Sequence, residues 1–358
     1  MQKSGRRSTV WMILLSLAAT APGLFLSLED SEIWGITSSR RFLDDIGTIS
    51  SAHIKPLFSL IFGTIVQIAP TDWDAFLFSR FFTVGLAAAG IFCLIRIVAR
   101  PYESLRQKYL SWVLIGLTVS TPVFLFHFTK ARSDTVAVSI CLFALFAMTI
   151  FQEKKRLFFA AATAVLLITP KSLDLVLVLA SFAWMTSAST TLSESKFSSR
   201  LRQFTWLISP AAVLLGIALL FSREPLLKAL TYWLDNYRET PITNYEHWSH
   251  LVMAIKSARF TSVSIAAGAC TSLYFFFSKK RRATLSPTEK SFILAGLAVT
   301  LFFLVHSQKY QFFLASRLPF FLLLAVPGWI RLLDPLIRKM ETTRTALAGV
   351  AIVLVSFA

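Results

Sequence analysis

Apolar runs of about 15–20 residues recur along the chain with short charged clusters between them, and runs of that length suit a hydrocarbon slab ~30 Å thick. Composition points the same way. Of 358 residues 55% are hydrophobic, 33 are Phe and 9 are Trp, and the mean hydropathy is +0.63. A soluble chain of this length would need far more polar surface to cover its core. The expected fold is therefore all-α, a polytopic transmembrane helical bundle of about 11 spans forming a single domain over 1–358. The expected spans are 10–28, 76–98, 109–126, 135–151, 157–169, 173–188, 205–221, 258–277, 291–305, 318–333 and 345–358. There is no internal repeat or low-complexity tract, and no soluble C-terminal domain is expected. The basic, then apolar, N-terminus has the features of a cleaved signal peptide. An uncleaved first span is the expectation, because the acidic stretch that follows belongs close to the membrane.

The formal charge of +17 does not point to nucleic acid, because the basic residues sit in small clusters between spans. With a cytoplasmic N-terminus, the cytoplasmic segments hold 22 of the 36 Lys+Arg and only 6 of the 19 Asp+Glu. The outer segments carry both signs in near balance, and the orientation rule does not account for charges gathered there. Cys93, Cys141 and Cys270 fall inside apolar runs and read as small buried hydrophobes, with no disulfide framework or zinc site.

The run Lys55–Ala69 is short for a span, and counting it as one would turn the basic clusters outward. It is expected to lie along, or dip into, the outer interface. The outer segment 29–75 would then hold two interfacial helices, one around 31–43 and one from Lys55; the other long outer segment is 222–257.

Several outer-face residues could carry chemistry. Asp30 stands within a residue or two of the membrane edge, where desolvation raises a carboxylate's pKa and its value as a base. Lys130, Arg132 and Asp134 crowd a loop of a few residues between two apolar runs. The structural alternative is an Arg132–Asp134 or Lys130–Asp134 pair, with Asp134 as the N-cap of the next helix. Lys171 and Asp174 form a similar intrusion after the helix-breaking Pro170, and His306, Lys309, Tyr310 and Arg317 lie between two late spans. Interfacial anchoring would also explain the Tyr, Lys and Arg of that group. Six cations on one surface, Lys55, Lys130, Arg132, Lys171, Lys309 and Arg317, are suited to hold an anion at bilayer level, with phosphate on a lipid as the simplest one.

The order and spacing of these features resemble the GT-C class of membrane glycosyltransferases that use polyprenyl-phosphate sugars, especially the protein O-mannosyltransferase and aminoarabinose transferase group. An acidic residue is followed one helical turn later by an aromatic one, Asp30 and Trp34. Lys55-Pro56 matches an element that opens a second interfacial helix, and "ARSD" supplies Arg132 and Asp134. Pro170-Lys171 and Lys309-Tyr310 correspond to later elements. The resemblance implies that Asp30 and Asp134 are catalytic, Asp30 as the base. It implies donor-phosphate contacts from Lys55, Lys171, Arg132, Lys309 and Arg317, and substrate contacts from Trp34, His53 and Tyr310. The chain departs from the aminoarabinose branch at Ile54, where that branch has Glu.

The implied activity is inverting transfer of a sugar from polyprenyl phosphate to a lipid, glycan or protein acceptor, on the outer face of a plasma membrane. No cofactor is required by this scheme, although Glu29, Asp30 and His53 could hold a divalent metal. The rivals are a transporter or flippase of lipid-linked or anionic substrates, and a non-catalytic subunit of an envelope assembly. Transporters place key charges near mid-membrane and often show repeated halves, whereas these charges lie at one face. On this topology a cysteine placed at 280 labels only from the cytoplasmic side and one at 55 only from outside. Outside labelling at 280 would overturn it.

Overall fold

The structure, a computed structural model, describes residues 55–102, 104–119, 127–151, 154–169, 172–187, 259–305 and 311–337, with scattered positions in 9–39, 121–124 and 248–256. Among these residues the regular structure is helical, without strands. The main helices are α1 (Pro56–Ile68), α2 (Asp72–Ala99), α3 (Leu105–Val119), α4 (Ser133–Ile150), α5 (Lys154–Ile168), α6 (Leu173–Ser187), α7 (Arg259–Phe277), α8 (Pro287–Val305) and α9 (Gln311–Ile337). A single turn, Lys279–Arg282, joins α7 to α8.

Helices α2 to α9 coincide with eight of the expected spans. The segments 205–221 and 345–358 lie outside the described residues, and 10–28 is described only at separate positions and over the short 3-10 helix Ala21–Phe25. Among the described residues four helices are long and apolar enough to cross a membrane: α2, α4, α8 over Pro287–Leu304 and α9 over Leu314–Leu333. The chain is thus a helical membrane protein.

Local chemistry sets the helix starts. Thr71 caps α2, its hydroxyl accepting from the Asp74 N–H at 3.1 Å and donating to the Asp74 carboxylate at 2.7 Å. A capping box opens α8: the Glu289 N–H donates to Ser286 Oγ at 3.2 Å, and the Ser286 N–H to Glu289 Oε2 at 2.8 Å. Pro56 and Pro287 occupy the first positions of α1 and α8, where their missing N–H is no loss.

Helix α9 is the central member, packing on α7, α8, α3 and α4, while α2–α4, α4–α5, α5–α6 and α6–α8 complete the bundle. Small residues bring α7, α8 and α9 together. A Cβ on Gly268 would lie 2.6 Å from the Ala325 carbonyl oxygen, and one on Gly328 would collide with the Gly268 carbonyl. On α8, a Cβ on Gly296 would meet the Phe320 carbonyl at 2.7 Å. Pro327 interrupts the ladder of α9, and the Gly328 N–H donates to Ser272 Oγ of α7 at 2.7 Å. A neighbouring serine thus satisfies a backbone group that hydrocarbon could not.

The expected interfacial helix at Lys55 exists as α1, but it does more than lie on a surface. Phe58 and Phe62 are buried, and the Phe62 ring meets that of Phe82 at 5.9 Å. Phe82 lies ten residues into α2, roughly 15 Å along its axis, so α1 leans back along α2 and also packs on α5. Leu60 and Ile68 stay exposed on its other side. Of the cysteines, Cys93 and Cys141 are buried as expected, whereas Cys270 is exposed on α7. That position suits a weakly polar thiol facing lipid.

Helix α5, with 15 residues, is about 22 Å long, less than the ~30 Å hydrocarbon core. It packs on both α4 and α6.

Gly328→Val forces a side chain into the backbone of α7 and should destabilise the protein by about 1–3 kcal/mol. Gly85→Ala, where a Cβ meets nothing within 4 Å, should be near neutral. Thermal unfolding of both variants in one detergent checks the contrast.

Candidate functional site

Three helix starts meet around one arginine. Asp134 lies in the first turn of α4, Asp174 in the first turn of α6, and Arg317 in the second turn of α9. Each carboxylate occupies the positive end of a helix dipole, a favourable place for an anion. Arg317 Nε donates to Asp174 Oδ2 at 2.7 Å, and its Nη2 donates to Asp174 Oδ1 at 3.2 Å and to Ser172 Oγ at 2.9 Å. Its Nη1 donates to Ser316 Oγ at 2.8 Å and to Asp134 Oδ1 at 3.4 Å.

These contacts occupy all five N–H donors of the guanidinium. Both Arg317 and Asp174 are 0% exposed, whereas the Asp134 side chain is 19% exposed. Asp134 is therefore the acidic member of the cluster that reaches a surface. Lys130 and Thr129, just before α4, are fully buried, and Arg132 is half-buried at the helix start.

The geometry bears on three expectations. Asp134 is not the N-cap of α4: Arg132 takes the cap position, without a side-chain cap bond, and Asp134 sits two residues further in. Asp174, expected beside Lys171, finds its bidentate partner 143 residues away in Arg317. Arg317, expected to bind the donor phosphate, directs its N–H groups to Asp134, Asp174, Ser172 and Ser316.

Lys55 caps the start of α1 with its Nζ 5.9 Å from the Phe58 ring centroid. The structure thus brings Asp134 and Arg317 together, with Arg132 two residues before Asp134, and sets Lys55 on α1. Asp30, Trp34, His53, Lys171, Lys309 and Tyr310 lie outside the described residues, and so does Glu29, the third of the possible metal ligands with Asp30 and His53. Among the described residues no three His, Cys, Asp or Glu side chains converge as a metal site.

Sequence reasoning missed the pairing of Asp174 with Arg317 and the buried Arg80 of α2. A charge inside an apolar run is the available signal, and it names the residue but not its partner. It also missed a second cluster at the other end of the bundle. There Arg331 of α9 holds Glu289 of α8 in a bidentate pair at 2.6 and 3.1 Å, and the Tyr102 hydroxyl donates to Glu289 Oε1 at 3.4 Å. Burial, reinforced by Glu289, pushes the Tyr102 phenol well above its ordinary pKa. Each member of this cluster is tied to another helix, which suits a structural lock.

Arg317→Met leaves Asp174 buried without its counter-ion and should destabilise the protein by about 3–5 kcal/mol. Adding Asp174→Asn should recover part of that loss, while Asp134→Asn alone should cost less because its contact is longer and partly exposed. A double-mutant cycle on unfolding in detergent measures the coupling.

Compared with known proteins, the chain matches no family model, no curated protein and no solved structure.

Proposed function

We propose that the protein is an integral-membrane glycosyltransferase that moves a sugar from a polyprenyl-phosphate donor to an acceptor at the outer face. The observation that carries the proposal is Asp134: a carboxylate held by a saturated arginine where three helix starts meet, partly open to a surface. A base that acts on a membrane-bound donor must work below the headgroup plane, and a residue fixed by its neighbours needs no reorganisation during reaction. Outer-face placement rests on the split of basic residues described above.

In the proposed reaction Asp134 or Asp30 accepts the proton of the acceptor hydroxyl as its oxygen attacks the anomeric carbon. The bond from that carbon to the phosphate oxygen breaks, and the phosphate leaves with the electron pair. A single displacement inverts the anomeric centre. Lys55, Arg132, Lys171 and Lys309 are assigned to the phosphate, and Trp34, His53 and Tyr310 to the substrate. Arg317 acts on the reaction only through Asp134.

One observation favours a second reading. A buried Asp–Arg–Asp set among apolar helices also suits a carrier of anions or protons. Purified protein in nanodiscs, given a labelled polyprenyl-phosphate sugar, separates the two. Transfer or release of the sugar supports the enzyme, while counterflow in liposomes without sugar release supports the carrier. For the enzyme, Asp30→Asn or Asp134→Asn, whichever removes the base, slows transfer by roughly 10²–10⁴-fold with donor binding nearly intact. Lys55→Ala weakens donor binding by about 1.5–3 kcal/mol. Normal turnover in both aspartate variants rules the mechanism out.

A further inference from the structure

We propose that the turn between α7 and α8, Lys279–Arg282, is a binding site for anionic phospholipid headgroups. It lies between segments remote from the Asp134 cluster and does not depend on the transferase proposal. Four consecutive cations, Lys279, Lys280, Arg281 and Arg282, are all exposed. Among the described residues none of the four has a carboxylate partner. The acid nearest in sequence, Glu289, is already held by Arg331 and by the Ser286 N–H. Four unneutralised positive charges on one turn attract an anion of matching density.

The turn is ordered. The Arg282 N–H donates to the Ser278 carbonyl at 2.8 Å, and the Thr284 hydroxyl to the Arg281 carbonyl at 2.7 Å. Leu285 is buried against Phe276, Ile293 and Leu324 and anchors the turn to the bundle. The Arg281 guanidinium rests 4.8 Å from the Tyr274 ring centroid and 5.2 Å from that of Phe275, and Arg282 rests 4.8 Å from that of Phe276. Cation–ring contacts hold the charges against the last turn of α7 while leaving hydrogen-bond donors for a phosphate.

The neighbouring surface favours a lipid over free phosphate. Tyr274 and Phe277, on the same helix turn, are 55% and 69% exposed. Cations beyond an exposed aromatic step at the end of an apolar helix match a phosphate joined to acyl chains.

The test uses the full-length protein in phosphatidylcholine nanodiscs containing increasing phosphatidylglycerol, with lipid retention read by native mass spectrometry. Arg281→Gln/Arg282→Gln should lower phosphatidylglycerol retention by roughly ten-fold or more. Lys155→Gln/Arg156→Gln, an equal charge change at the start of α5, should lower it by less than about three-fold. If the glutamine pair does not fold, Arg281→Lys/Arg282→Lys keeps the charge and should still lose part of the retention. Equal losses in the α5 variant and the turn variant would overturn the site, as would full retention in both turn variants. Competition by inorganic phosphate at the concentration of the lipid would overturn the assignment to phospholipid.

Discussion

An arginine surrounded by apolar helices has no water to donate to, so every N–H must find its acceptor within the protein. Arg317 meets that demand with two carboxylates and two serine hydroxyls drawn from α4, α9, α6 and the residue before α6. No small shift of one helix is compatible with all of these bonds. The pair is not simply a source of stability, since an apolar replacement of similar shape can be equally stable. What it supplies is register: the first turns of α4 and α6 are fixed against α9, and Asp134 with them.

Helix α9 carries this constraint through the bundle. Arg317 and Arg331 are fourteen residues apart, about 21 Å along the axis, and each holds a carboxylate of a neighbouring helix. Between them Gly268, Gly296 and Gly328 let backbones approach where hydrophobic burial offers little preference for one helix contact over another. Ionic contacts near the two arginines and close van der Waals contact between them divide the work of holding α7, α8 and α9. Cations also serve differently at the two places. Arg317 is consumed by acids, whereas Lys279–Arg282 remain available at the surface.

Packing of helix starts also accounts for burial that loop position would not suggest. Lys130, Asp174 and Arg317 are buried although the sequence places them next to loops, and Arg317 and Asp174 lie where α4, α6 and α9 converge. The proposed transfer would draw on that junction through Asp134, the member that keeps some exposure.

Apolar run length determined the helical class and located eight of the described helices with ends off by up to seven residues, because hydrocarbon thickness and backbone hydrogen bonding leave few alternatives. Charge position likewise marked Arg132, Asp134, Lys171, Asp174 and Arg317 as unusual, since each interrupts or borders such a run. Their partners could not be read in this way. Local pairing suggested Lys130 or Arg132 for Asp134 and Lys171 for Asp174, while the acceptors of Arg317 come from segments 143 and 183 residues away. Periodicity and hydropathy report only what each helix needs from its surroundings. Which helix meets that need depends on packing, and here close glycine contacts and the saturation of one buried guanidinium decided it in the tertiary structure.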